Sequence, residues 1–117
     1  MTTRAIGLEA ESRAERELVR LGYRILDRNY RARRGELDLV AEDAGVVCFV
    51  EVRSRGRVDL GRPEETIGPE KRRRIALAAE EWLLAHPRGE PICRFDVVAI
   101  DEEGITVLRD AFRLDGR

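Results

Sequence analysis

The chain has one histidine, one lysine and two cysteines in 117 residues, and each scarcity narrows what it can do. Cys48 and Cys93 show neither CxxC nor Cys/His spacing, which argues against a zinc site or a disulfide framework and predicts two buried reduced thiols. His86, just before Pro87, is expected to cap the last carbonyls of a helix rather than to catalyse. No apolar run approaches the roughly 18 residues of a membrane span, and the opening MTTRAIGLEAESR lacks an apolar signal core. A cytoplasmic protein without a membrane partner is the expectation. A phosphate-loop glycine pattern, GxGxxG, a Ser/His/Asp order and HExxH are all missing, as are internal repeats and low-complexity tails.

What is present is charge. Apolar residues make up 43% and charged residues 38% of the chain, as in a highly charged globular protein, and the length suits one domain. The net charge of -1 conceals a gradient: residues 1–74 carry +3 and residues 75–117 carry -4. Arg24, Arg28, Arg31, Arg33 and Arg34 surround Tyr23 and Tyr30; Arg53, Arg55, Arg57 and Arg62 follow further on, then the run Lys71 to Arg74. Such clusters suit either a phosphate backbone approaching one face or a solvated arginine-rich surface, and clustering alone does not choose between them.

Periodicity predicts a helix from Thr3 to Leu21, with Ile6, Ala10, Ala14, Leu18 and Leu21 on one stripe and Gly22 ending it. Glu11 lies at the edge of that stripe, where it either reaches inward or complements the helix dipole. Residues 23–33 read as a strand with exposed arginines, and GRVDLGRPEETIGP after Arg55 reads as a loop. A second helix is expected from Pro69 to His86, its stripe Ile75, Ala78, Ala79 and Trp82 arriving one turn back at Lys71. CRFDVVAI and ITVLRDAF close the chain as two strands. The order α-β-β-β-α-β-β makes an α/β fold, a mixed five-stranded sheet flanked by helices.

The stretch from Gly35 to Arg55 carries the chemistry. Leu37 to Ala41 and Val46 to Val50 read as a buried hairpin, yet Asp38 interrupts the first run and Glu51 the second, with Arg53 two residues on. If a turn of two residues, Ala44 and Gly45, or of four, Asp43 to Val46, joins the strands, positions summing to 89 lie opposite one another, so Asp38 faces Glu51 and Glu36 faces Arg53. Like charges directly opposite cost about 0.2 to 1 kcal/mol at an exposed site and more when desolvated. A divalent cation is the simplest offset, and hard oxygen ligands suit Mg²⁺ or Mn²⁺. Asp96 interrupts its strand in the same way, without a recognisable partner.

Gly7, Glu11 and Ala14, then GYRIL (Gly22 to Leu26), Arg28 with Asn29, GELDLV (Gly35 to Val40), FVEVR (Phe49 to Arg53), Gly61 with Pro63, Lys71 and RFDVV (Arg94 to Val98) together resemble the YraN family of small bacterial proteins. That family is placed among the PD-(D/E)xK nucleases and is similar to archaeal Holliday junction resolvases. The resemblance spans nearly the whole chain. It implies a restriction-endonuclease-like core with metal held by Asp38, Glu51 and the Val52 carbonyl. It also matches Glu11 to the N-terminal helix glutamate of resolvase-type members and Lys71 to a family lysine, and it implies a homodimer. Two departures stand out: Arg53 occupies the position of the family's strand lysine, and Leu60 stands where an aromatic residue is common.

Two functions follow from different classes. The first is a metal-dependent endonuclease acting on DNA, in branched or damaged form, with Glu11, Asp38 and Glu51 as ligands and Arg53 or Lys71 stabilising the added negative charge. The second is a nucleic-acid-binding module with a degenerate nuclease site. Arg31, Arg33, Arg34, Arg55 and Arg72 are the candidates to contact nucleic acid in either case. Three retained acids favour the first, Arg53 favours the second, and an accessory protein with structural acids ranks third.

Overall fold

The computed structural model describes residues 3–54 and 67–113, with side chains from Gly7 onward in the first helix. The expected stripe residue Ile6, Arg55, Leu60 and the rest of the expected loop as far as residue 66 therefore lie outside the described side chains. The elements run α1 (Thr3–Arg20), β1 (Arg24–Arg31), β2 (Glu36–Asp43), β3 (Val46–Ser54), α2 (Pro69–Ala85), β4 (Ile92–Asp101) and β5 (Gly104–Phe112). Strand order in the sheet is the chain order, β1 to β5. All neighbours are antiparallel except β3 and β4, whose parallel pairing follows from the crossover through α2. The architecture is the expected α/β fold with a mixed five-stranded sheet. No helix among the described residues is long and apolar enough to cross a membrane.

Each helix covers one face. Ala10, Ala14 and Leu18 of α1 bury against Leu39, Ala41, Cys48, Val50, Val98 and Ile100. Ile75, Ala78, Ala79 and Trp82 of α2 bury against Val40, Val47, Phe49, Phe95, Val97 and Phe112 on the other face. The stripe expected for α2 is the observed one. In α1, by contrast, Leu21 is 37% exposed, because the helix stops before it. Gly22 at φ 99 ends α1 in a Schellman motif: the Gly22 N–H donates to Val19 O at 3.0 Å and the Tyr23 N–H to Leu18 O at 2.9 Å. Tyr23 and Leu18 then pack together in the α1 layer.

The β2–β3 hairpin turns at Ala44 (φ 50) and Gly45 (φ 86), the two left-handed residues that match a tight turn to strand twist. Its register, from Leu39↔Val50 to Asp43↔Val46, is the one that sums to 89. The ladder stops there. Leu37 and Leu39, two apart on one strand, belong to opposite core layers, so strict alternation breaks at Asp38 between them. The expected pairing of Glu36 with Arg53 is not formed; Glu36 pairs with Arg31 and Arg53 with Ala99.

Asp96, fully buried, has the partners that its sequence context did not reveal. The Tyr23 hydroxyl donates to its Oδ2 at 2.9 Å, while Arg94 Nε and the Asp110 N–H both donate to Oδ1 at 2.9 Å. Asp110 reaches it from a left-handed kink in β5 (φ 53). Arg94 also bonds Asp43 at 2.6 Å, and Arg109 lies 3.3 Å from Asp43 and donates to Tyr23. The two cysteines are both free, but Cys93 is exposed rather than buried. It sits at the start of β4, where neither core layer extends. His86 caps α2 as expected: its backbone N–H and its Nδ1 both lie on the Trp82 carbonyl, and its ring stacks on the Trp82 indole at 4.2 Å.

The connection from β1 to β2 is clamped onto α2. The Arg33 N–H donates to Glu81 Oε2 at 2.9 Å, and a Cβ at Gly35 would stand 2.6 Å from the Arg74 carbonyl oxygen. Backbone, not a flexible side-chain tip, is the obstacle. Gly35→Ala should therefore lower stability by about 1 to 3 kcal/mol, as for other overpacked sites, read as a fall in the urea midpoint. An unchanged midpoint would show that the loop is free to move off the helix.

Candidate functional site

Where β2 and β3 part, a cleft of about 800 Å³ opens between the N-terminal half of α1, the residues joining β1 to β2 and the first turns of α2. Glu11, Glu36, Asp38, Glu51, Arg31, Arg34, Lys71 and Arg74 line it with Val52. Asp38 holds its floor. The Val52 N–H donates to Asp38 Oδ2 at 2.8 Å, so a carboxylate takes a bond that a strand carbonyl would otherwise accept.

Two further carboxylates approach Asp38 from separate elements. Burial first, and then the Asp38 charge beside it, push Glu11 from 4.5 up to about 7. Glu51, 6% exposed, is likewise raised to about 7, by burial and then by Asp38, against the opposing pull of the Lys71 ammonium. Both line the cleft with Asp38, and its charge acts on each of them. Lys71 Nζ stands 2.8 Å from Glu51 Oε1. The stripe argument that carried α2 back to Lys71 thus leads to the only lysine of the chain, at the buried acid.

Not every residue singled out from sequence comes to the cleft. Arg53 is half-buried, does not line it and has no ion pair or hydrogen bond among the described residues. Arg72 Nε donates to the Ile67 carbonyl at 2.7 Å and its guanidinium lies 5.1 Å over the Phe112 ring, which ties it to the core edge. Arg31 and Arg34 line the cleft, whereas Arg33 is exposed beside it. Arg24 and Arg28 are engaged by Glu42 and Glu15. One participant went unread: with its amide nitrogen turned to the carboxylate, Asn29 donates to both Glu11 oxygens at 3.0 Å. The signal available was an asparagine in a strand, a position where that residue is depleted.

The donor set is all carboxylate, with no imidazole or thiolate in the lining, and fits a hard divalent cation. Among the described residues no three such side chains are already gathered as a closed ligand group. Glu51 is turned to Lys71, Asp38 to the Val52 N–H and Glu11 to Asn29.

The raised carboxylates make stability depend on pH. Folded Glu11 and Glu51 retain protons up to about 7 that the unfolded chain releases near 4.5, so their stabilising contribution is full below 4.5 and is lost as pH rises through about 7. Glu51→Gln should gain on the wild type between about pH 5 and pH 8. Urea midpoints measured across that interval check this, and a difference independent of pH would refute it.

The comparisons with known proteins cover the same residues. A model of the "Uncharacterised protein family UPF0102" matches residues 10–100, a span that holds Glu11, Asn29, Asp38, Glu51 and Lys71. The chain is 50% identical over 118 residues to a UPF0102 protein of Anaeromyxobacter sp. (strain Fw109-5), across 97% of this chain and 89% of the relative. It is 48% identical to one from Dechloromonas aromatica (strain RCB), across 97% and 93%. A third, from Lachnoclostridium phytofermentans (strain ATCC 700394 / DSM 18823 / ISDg), is 45% identical across 96% of both chains. The chain belongs to the UPF0102 family.

Proposed function

We propose that this protein is a metal-dependent endonuclease that hydrolyses phosphodiester bonds in DNA. The observation that carries the reading is that Glu11, Asp38 and Glu51, from three different elements, line one open cleft beside a single ammonium. Glu11, Asp38 and Glu51, with the Val52 carbonyl, would hold Mg²⁺ or Mn²⁺. When bound, such a cation supplies Lewis acidity at a phosphoryl oxygen. Lys71 places a compact cation at Glu51, where it can turn to an incoming phosphate and stabilise the charge that builds up on it. Arg31 and Arg34 flank the backbone of the substrate. Arg53 has no part in this arrangement: a guanidinium cannot serve as a base near neutrality, and this one lies outside the cleft lining. The resemblance to PD-(D/E)xK nucleases and Holliday junction resolvases supports the same reading, with branched or damaged DNA as the substrate and a homodimer as the assembly.

A non-catalytic nucleic-acid-binding module is the second reading. Arg53 in place of a strand lysine and the closed Lys71–Glu51 pair favour it. A cleavage assay with Mn²⁺ on linear, flapped and four-way-junction DNA separates the two, with Glu51→Gln as the control for contaminating nuclease. Cutting by the wild type and not by the variant is expected. Lys71→Ala should abolish cutting, and Arg53→Lys should preserve or raise it. Binding without cutting on every substrate would favour the module.

Two measurements test the parts separately. Millimolar Mn²⁺ should raise Tm by an amount that follows RT ln(1 + [L]/Kd), about 2.7 kcal/mol at a hundredfold excess over Kd. Asp38→Asn should lose that shift, and a shift that survives the substitution would place the ion elsewhere. DNA binding should weaken steeply with salt. Joint reversal of Arg31, Arg33 and Arg34 to glutamate should flatten the slope, while Arg20→Glu, at the far end of α1, should leave it unchanged. Equal effects would show that the cleft is not where phosphate docks.

A further inference from the structure

We propose that Asn29 is the positioning residue of the cleft: its side-chain amide holds the Glu11 carboxylate beside Asp38 without adding charge. Asn29 sits within β1 at φ 48, a left-handed conformation that is uncommon outside glycine and that asparagine tolerates best of the larger residues. The kink has a use. Consecutive strand side chains point to opposite faces, yet Arg28 and Asn29 both reach α1. Arg28 Nη2 bonds Glu15 Oε2 at 3.0 Å and Asn29, with its amide nitrogen turned to the carboxylate, bonds Glu11 one helical turn earlier. The left-handed residue is what breaks the alternation, and it fixes β1 to the part of α1 that lines the cleft.

Glu11 requires such a tether. Asp38 and Glu36, both acidic, stand near it, and on its outer side a groove of about 620 Å³, lined by Gly7, Leu8, Asn29, Arg31 and Glu36, opens to solvent. Glu11 already borders that groove, and repulsion from Asp38 would turn an untethered carboxylate further into it, toward Arg31. A lysine or arginine at position 29 would hold it by forming an ion pair, as Lys71 does with Glu51, and would cancel the charge that attracts a cation. Glycine would adopt the same φ but donate nothing, and aspartate would repel. Asparagine alone among these combines the conformation, the donor and neutrality. Hydrogen bonds of this kind, made to a ligand rather than to the metal, orient ligating side chains.

The cation-affinity part of this inference rests on the proposed metal site, while the positioning part does not, and the test reads both. Mn²⁺ affinity is measured by titration calorimetry on wild type, Asn29→Gly, Glu11→Gln and the double variant, and metal-free Asn29→Gly and Asn29→Asp are crystallised. Asn29→Gly keeps the backbone conformation and should melt near the wild type. Its Kd for Mn²⁺ should rise by about 10- to 100-fold. In the Glu11→Gln background the same change should alter Kd by no more than about twofold, because its target is gone. In the metal-free crystals of both variants Glu11 should have left Asp38 for the outer groove. Glu11 unmoved in those crystals, or an equal loss of affinity in both backgrounds, would overturn the proposal. A wild type that takes up no Mn²⁺ would refute the metal site, and the crystals would then decide the role of Asn29 alone.

Discussion

The hydrogen bond from the Val52 N–H to Asp38 Oδ2, at 2.8 Å, is the contact on which the rest of the site depends. In an antiparallel pair that donor would meet a carbonyl of the partner strand. A side chain meets it instead, the ladder ends at Leu39↔Val50, and the strands separate. Leu37 then turns to the α2 layer and Leu39 to the α1 layer, which leaves the carboxylate between them facing the gap. The same bond therefore ends the pairing, opens the cleft and fixes a carboxyl group at its floor.

Asp96, paired with the Val50 that precedes Glu51, is a buried acid handled in another way. Asp96 is surrounded by donors from Tyr23, Arg94 and the Asp110 backbone, and Arg94 and Arg109 answer Asp43 as well. The Tyr23 hydroxyl, pushed up to about 12 by burial and then by Asp96, stays protonated and donates. Of the four carboxylates that line the cleft only Glu51 meets the Lys71 ammonium, although Arg31 and Arg34 line the same walls without an ion pair to any of them among the described residues. A shortage of cations is not the cause. Acid is held in excess on the floor while arginines stand apart at the rim, an arrangement suited to a doubly charged ion below and a polyanion above.

Much of the fold could be read in the sequence because the informative signals were local. The β2–β3 register needed only a two-residue turn and two apolar runs, the α2 stripe only its period, and the end of α1 only a glycine. What could not be read depended on distant partners. Asp96 is satisfied by Tyr23, 73 residues away in the chain. Asn29 gains its meaning from a backbone angle that its neighbours do not dictate. Cys93 was expected in the core because its strand is apolar further on, yet burial in β4 begins only at Phe95. The acids at 38 and 51 were conspicuous for a reason that is itself local: each is a charge inside a run of apolar residues.

The site's cation shows why sequence position misleads where spatial position decides. A strand basic residue at 53 appears to follow Glu51 directly, but Arg53 lies outside the cleft and the ammonium arrives from α2. Lys71 comes one turn before Ile75, whose burial with Ala78, Ala79 and Trp82 sets the depth of the helix on the sheet. Gly35 against the Arg74 carbonyl sets its distance from the cleft wall. The charge at Glu51 is consequently answered by an element held through hydrophobic packing rather than through the strand that bears the acid. A compact ammonium on a flexible stem can leave Glu51 for a phosphate without moving the backbone. Core packing of α2 thus becomes part of the electrostatics of the site, and loss of that packing would unbalance the acids before it unfolded the sheet.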